Sequence, residues 1–319
     1  MTIATEKMAY MDRIDILLAT YNGEKYIDPL LQSIVDQTYS NWFLYARDDG
    51  SSDGTVDKLE LFNKKYPEKV KILPNNGHRC GIAGNFDILL RESTSNYIML
   101  CDQDDVWLPD KIAISVDAVK NIELINVNNP ILVHTDLYVV DKFLKRIAPS
   151  FVKYQGINAN YGKSLKKEML ENVVTGCAMI INRPLADLAL PIPQKCKMHD
   201  WWIAMVAAAF GETKFISRST IFYRQHGEND VGASRWSAIS AIRRGFSPRK
   251  LHNNIVEKQL QAFIFMNRYS DILKPKQLFY LKSFSELNSR SFIYRRLIAI
   301  KIGLRHNKLI RTLGFYLFL

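Results

Sequence analysis

The sequence predicts an α/β protein, with a mostly parallel nucleotide-binding sheet flanked by helices and followed by a basic helical extension. Three observations lead there. Short apolar runs alternate with segments of helical period through the first half. Several of those runs end in small and acidic residues. Charge is divided sharply along the chain. Strands separated by helices of this length need crossover connections, which cover both faces of a sheet.

Arg13–Ala19 is an apolar run too short for a helix and is the first expected strand. The segment 24–37 follows with helical spacing of Ile27, Leu30, Leu31, Ile34 and Val35. Trp42–Arg47 is a second strand, stopped by the turn-rich run Asp48 to Gly54. Thr55–Tyr66 is expected to be helical, with Ser52 or Asp53 as its N-cap. Val70–Leu73 then predicts a strand, Ile82–Glu92 a helix and Tyr97–Cys101 a fourth strand. Two strands are expected at Ile131–Asp136 and Leu137–Val140, and another at Ala178–Asn182. Residues 142–170 show little periodicity and read as a long excursion. Trp201–Phe210 is an apolar helix, and Lys214–Ser217 with Thr220–Arg224 reads as a strand pair. No internal repeat is present.

Of the 319 residues, 47% are hydrophobic and 24% charged, which excludes a disordered chain and allows a large core. The opening segment has no apolar run behind a basic patch, and no stretch nears the roughly 18 to 20 apolar residues of a membrane span. Cys80, Cys101, Cys177 and Cys196 show neither CxxC nor zinc spacing. Reduced thiols and a cytoplasmic location are therefore expected. From Arg235 onward there are 17 basic and 3 acidic residues, a local charge of +14, against 26 basic and 29 acidic before it. The expected division is a catalytic domain over 1–234 and a basic extension over 235–319.

In an open parallel sheet, ligands bind at the carboxyl ends of the strands. Here those ends are Ala19-Thr20-Tyr21-Asn22-Gly23, Asp48-Asp49-Gly50-Ser51 and Asp102-Gln103-Asp104-Asp105. Asp-Asp-Gly alone reads as a turn, but three polar ends in strand order are harder to dismiss. Carboxylates as close as Asp102, Asp104 and Asp105 repel one another unless a cation compensates. Hard oxygen ligands suit Mg²⁺ or Mn²⁺ bridging to phosphate. A solvated acidic loop before a helix starting near Pro109 explains the cluster equally well.

In combination, these motifs and Cys-Asp-Gln-Asp-Asp-Val-Trp resemble the family-2 inverting glycosyltransferases with the GT-A fold, over about residues 12–230. Asp-Gln-Asp-Asp-Val-Trp, His199-Asp200-Trp201-Trp202 and Tyr223-Arg224-Gln225-His226-Gly227 are most similar to bacterial rhamnosyltransferase-like enzymes of surface-polysaccharide synthesis. The resemblance implies that Thr20 and Tyr21 hold the nucleobase, Asp48 accepts N3–H of uracil or thymine, and Asp102 holds the ribose or deoxyribose. It implies that Asp104 coordinates the metal, with His226 reaching metal or diphosphate, and that Asp200 is the general base.

Asn22, Arg79, Asp105, Trp201 and Arg224 are further candidate donor or acceptor contacts. His78, in the same loop as Arg79, is a weaker one. From the residues alone, Asp200 could instead be an N-cap, His226 a structural histidine, and Arg224 either a phosphate contact or a carboxylate partner. One base suffices for a single inverting displacement, and no second nucleophile is evident. Asp104 and Asp200 are both present, which disfavours the alternative of a catalytically idle nucleotide- or glycan-binding module. No GxGxxG follows the first strand, as a dinucleotide oxidoreductase would require. Processive synthases of the family carry Gln-x-x-Arg-Trp, whereas here Gly232 lies three before Arg235-Trp236. Transfer of one or a few sugars is expected, from a dTDP-sugar or UDP-sugar to a glycan or lipid-linked oligosaccharide.

Ile298, Ile302, Leu309, Leu313 and Tyr316 fall near one side of a helix in the tail, and Lys301, Arg305 and Lys308 elsewhere. Such an amphipathic basic helix suits the inner face of the cytoplasmic membrane; a helix packed on the catalytic domain is the other reading. Arg243-Arg244, Arg249-Lys250 and Arg295-Arg296 add to its charge. No nucleic-acid module accompanies the charge, so no nucleic acid is expected as a partner. A homo-oligomer is left open.

Overall fold

A computed structural model describes residues 12–227 and 248–319. The chain runs β1 (Ile14–Thr20), α1 (Ile27–Val35), β2 (Trp42–Asp48), α2 (Thr55–Lys65), β3 (Val70–Leu73), α3 (Gly81–Glu92) and β4 (Tyr97–Asp102). It continues through β5 (Val106–Trp107), α4 (Lys111–Glu123), β6 (Ile131–Asp141), β7 (Arg146–Ala148), α5 (Phe151–Tyr154), α6 (Leu165–Glu168) and β8 (Met179–Asn182). Then come α7 (Arg183–Ala189), α8 (His199–Phe210) and β9 (Glu212–Gln225). The last four helices are α9 (Pro248–Arg268), α10 (Pro275–Ser285), α11 (Phe292–Lys301) and α12 (Leu309–Phe318).

The strands form one sheet in the order β3-β2-β1-β4-β8-β6-β9-β5, with β7 on β6. β3, β2, β1 and β4 pair in parallel; β8 is antiparallel to β4 and β6; β6 and β9 are parallel. β1, β2, β3, β4, β6 and β9 therefore point the same way. In β1, Ile16 and Leu18 face the core shared with α1 and α4, while Leu17 joins Phe86 of α3 and Trp202 of α8 on the other face. Both faces being buried, the strand reads as a continuous apolar run. Its one charged interior residue, Asp15, is compensated by Arg13 at 2.9 Å and by Ser93, Thr94 and Ser95 donors within 3.0 Å.

Several expectations need correction. The two strands predicted over 131–140 are one, and so are the two predicted over 214–224; the β6–β9 register instead shifts between Thr135 and Tyr138. The excursion over 142–170 contains β7, α5 and α6, elements too short to show a period. The tail is not one helix: Gly303, at φ +68, ends α11, and Ile302 is buried rather than on an outer stripe. The extension packs on the body. Phe265, Phe284 and Phe315 share a core with Leu17, Phe86 and Trp202. The expected boundary at 234/235, Gly232, Arg235-Trp236 and Arg243-Arg244 lie outside the described residues.

Candidate active site

Parallel register sets three strand ends side by side: Thr20 pairs with Asp48, and Ala19 with Asp102. Thr20 Oγ1 donates to Asp48 Oδ2 at 2.8 Å, and Ser51 Oγ to the same oxygen at 2.6 Å. Asp48 Oδ1 accepts the N–H groups of Gly50 and Ser51. Four donors thus fill the carboxylate's acceptor positions. A nucleobase N–H reaches it only if one of the two hydroxyls turns aside. Asp49, its neighbour, points away: it accepts N–H bonds from Cys80 and Gly81 at 2.9 Å and pairs with Arg47 at 3.3 Å. Burial works to raise its pKa, but the Cys80 and Gly81 bonds and the Arg47 contact together hold it below the usual range. One aspartate faces the ligand side and the other fastens the start of α3.

Tyr21 is exposed, with the Arg79 guanidinium 4.0 Å over its ring. Its backbone is held by Gln103, whose amide accepts from Tyr21 N–H at 2.9 Å and donates to Tyr21 C=O at 2.8 Å. Gly23 permits this bracing, because a Cβ there would meet Gln103 Oε1 at 2.3 Å. Asn22 adopts φ +49 and closes the loop: its N–H donates to Ser51 Oγ and its Oδ1 accepts from Ser52 N–H. His78 contributes its carbonyl oxygen to Arg47 at 3.4 Å.

The acidic run divides its work. Asp104 Oδ2 lies 2.8 Å from His226 Nε2, and the His226 ring stacks on Tyr26 at 4.5 Å. Octahedral bonds of about 2.1 Å at right angles place neighbouring ligand atoms about 3 Å apart. Asp104 and His226 are hydrogen-bonded to each other at 2.8 Å, a separation that two neighbouring ligands of one such ion would also have. Ligand atoms of Asp102, Asp105 and Cys177 also lie within 4.8 Å of one another. That second set fits a hard cation poorly, because sulfur is a soft ligand; burial pushes the Cys177 thiol well up. Asp105 itself is fully buried, raised in pKa first by desolvation and then by Asp104 and Asp102. It accepts Arg224 N–H at 3.1 Å. Arg224 Nε and Nη1 donate to the carbonyls of Asp104 and Lys142, so the side chain fastens the acidic loop.

Asp200 sits in the first turn of α8. Its Oδ1 accepts from Trp201 N–H at 2.5 Å and Asn172 Nδ2 at 3.3 Å, and its Oδ2 from Gly176 N–H at 3.1 Å. Desolvation outweighs these bonds and raises the carboxyl to about 6. The buried Glu168, likewise raised by burial and then by Asp200, lies in the same region. Trp201 is buried, donating Nε1–H to Glu168 C=O at 2.6 Å. Trp202 is wholly core against Phe265 and Tyr269. Gly176 and Cys177, consecutive residues, join the two halves of the site, one bonded to Asp200 and the other to Asp105. The arrangement pairs a raised-pKa carboxylate with an acidic cluster at the strand ends. Gln103, Asn172, Gly176, Glu168 and Tyr26 were not singled out in the sequence. Their partners lie far along the chain, and no local spacing marks them.

Residues 15–189 match the family model for Glycosyl transferase family 2. Over 253 residues the chain is 32% identical to the dTDP-rhamnosyl transferase RfbG of Shigella flexneri, covering 77% of this chain and 84% of that protein. It is 30% identical over 192 residues to the UDP-Glc:alpha-D-GlcNAc-diphosphoundecaprenol beta-1,3-glucosyltransferase WfgD of Escherichia coli, covering 59% and 68%. The mannosyltransferase PcManGT of Pyrobaculum calidifontis, solved with GDP-Man and Mn²⁺, has the same fold at a TM-score of 0.54 and 16% identity, over 97% of this chain and 85% of that one. The α/β fold expected from the sequence is borne out.

Proposed function

The chain belongs to glycosyltransferase family 2, and on that premise we propose that it transfers rhamnose from dTDP-rhamnose to a glycan or lipid-linked oligosaccharide with inversion. UDP-sugars are the second choice of donor. The observation that carries the reading is the link between Asp200 and the acidic run through Gly176 and Cys177. It ties a proton acceptor to an acidic donor site. The identity with RfbG supports the donor, and the printed acceptor of WfgD supports a lipid diphosphate.

In this reading Tyr21 lies against the base, and Asp48 meets N3–H of thymine or uracil once Thr20 or Ser51 turns its hydroxyl away. Asp102 holds the deoxyribose, or the ribose of a UDP-sugar. Asp104 and His226 hold Mn²⁺ or Mg²⁺, which when bound neutralises charge on the diphosphate. Asp200 takes the proton from an acceptor hydroxyl while that oxygen attacks the anomeric carbon opposite the diphosphate. The bond to the nucleoside diphosphate breaks as the new glycosidic bond forms, and one displacement inverts the centre.

The acceptor side is assigned to the inner face of the cytoplasmic membrane. No helix among the described residues is long and apolar enough to cross a membrane. The test is transfer from a panel of nucleotide sugars with Mn²⁺, Mg²⁺ or EDTA, for the full chain and for Asp104→Ala and Asp200→Asn. Turnover with dTDP-rhamnose, lost in EDTA and in both variants, is expected. Nucleotide-sugar binding without turnover for any donor would leave an idle binding module. Full activity in EDTA removes the metal role.

A further inference from the structure

The last two helices each carry an apolar stripe on the side away from the body. On α11, Ile293, Leu297 and Ile300 recur at helical spacing; on α12, Leu309, Leu313 and Leu317 do the same. All six are between 56% and 75% exposed. The opposite sides hold Ala299, Thr312 and Phe315, all buried. These helices therefore differ from a solvated surface helix, whose outer side is polar, since their outer sides are apolar too. Aliphatic side chains clustered this densely on a surface mark an interaction face.

We infer that the outer faces of α11 and α12 form a docking surface for an anionic lipid bilayer. Charge selects that occupant. Residues 287–319 contain seven Lys or Arg and no Asp or Glu. A second copy of the chain would press like charge against like, and a nucleic acid would leave the leucine stripe in water. A bilayer with anionic headgroups meets both requirements: the leucines and isoleucines enter the acyl boundary while the exposed Lys301 and Arg305 reach phosphates. Arg296 belongs to the frame rather than the contact. It donates to Leu317 C=O at 2.8 Å and lies 3.5 Å over Phe292, fastening α11 to the end of α12.

The surface is also fixed to the acceptor side of the site. Glu171 pairs with Arg311 of α12 and with His306 at 3.3 Å, and accepts Asn307 N–H at 3.0 Å. The next residue, Asn172, donates to Asp200. Docking therefore sets the height and tilt of the base relative to the membrane. This deepens the proposed function, because it rests on an acceptor anchored in lipid.

The experiment is flotation of the full chain with phosphatidylcholine vesicles, with and without phosphatidylglycerol, in low and high salt. Neither donor nor acceptor is needed, so its outcome is independent of whether the transfer reaction is correctly assigned. Binding to the anionic vesicles only, reduced by salt, is expected. It should fall at least tenfold when Leu309→Ser, Leu313→Ser and Leu317→Ser are combined. A second variant combining Lys301→Gln and Arg305→Gln, both exposed, should weaken binding similarly without touching apolar contacts. Both variants should keep the thermal midpoint. Variants that float as well as the parent, or a parent that ignores anionic vesicles, overturn the proposal. So does a dimer in solution that the leucine substitutions dissolve in the absence of any vesicle binding.

Discussion

Asp200 is held by three donors and yet has its carboxyl raised to about 6, because desolvation dominates. A base of that strength is mostly ionised at neutral pH while holding a proton better than an ordinary carboxylate. Asp200→Asn keeps the shape and can retain donor affinity. It should lower turnover by about 10² to 10⁴-fold, the usual range for a general base; loss of less than tenfold would refute the assignment. Turnover of the parent should fall on acidification through about pH 6. Stability moves the other way. The folded state holds this proton more tightly than the unfolded chain, so Asp200 costs stability progressively as pH rises from about 4 to about 6. Denaturant melts across that window should show the parent losing ground to Asp200→Asn. Asp49 has the opposite sign. Its depressed carboxyl contributes stability above the unfolded pKa and loses it as pH falls. Asp49→Ala leaves Arg47 buried and less well compensated, and about 3 to 5 kcal/mol is the expected cost by urea melt.

Loops and turns decide which carboxylates converge. The turn Gly176–Ala178 must pass close beneath α8: a Cβ on Gly176 would lie 3.2 Å from His199 Nε2 and 3.3 Å from Asp200 Cβ. Gly176→Ala should displace the base but leave the donor end, built on β1, β2 and β4, in place. The expected result is a lower kcat with donor KM nearly unchanged. Equal change in both would show that the turn also shapes the donor site. How much of this was legible follows from the range of each interaction. β1, β2 and β4 were readable because their burial on both faces forces continuous apolar runs, and their ends because acidic residues rarely cluster without cause. The split between Asp48 and Asp49 was not readable, since it depends on the N–H groups at the start of α3, some 30 residues away. Glu168 lay in a segment with no period, because α6 has only four residues, and Asn172 lies just beyond that segment. The tail was read as one amphipathic helix because helical spacing persists through Gly303, where a positive φ turns the chain.

At the scale of the molecule, the basic extension and the body meet at an ionic latch on Glu171, besides the Lys197–Glu257 pair at 2.5 Å. Glu171 lies just before the residue that holds the base, and its partners Arg311, His306 and Asn307 all come from the extension. Tyr161 adds a bond to the Arg305 carbonyl, and Asn307 Nδ2 donates to Gly156 C=O at 3.2 Å. Burial alone would raise the Glu171 carboxyl, but the His306 hydrogen bond and then Arg311 bring it to about 2. A group depressed in this way contributes stability above its unfolded pKa, and the contribution disappears as pH falls toward 2. Glu171→Gln keeps the volume and can still accept a hydrogen bond, but it removes the charge. It should cost on the order of 2 to 3 kcal/mol at neutral pH. Parent and variant should converge in denaturant melts as pH is lowered from about 5 to about 2. Convergence is the discriminating feature: a cost independent of pH would mean that packing of the side chain, not its charge, joins the two parts. The same variant should lower turnover more on vesicle-borne acceptor than on a soluble one, because the latch fixes Asp200 relative to the docking helices rather than to the donor. An equal loss on both acceptors would show that Glu171 acts on the base through Asn172 alone.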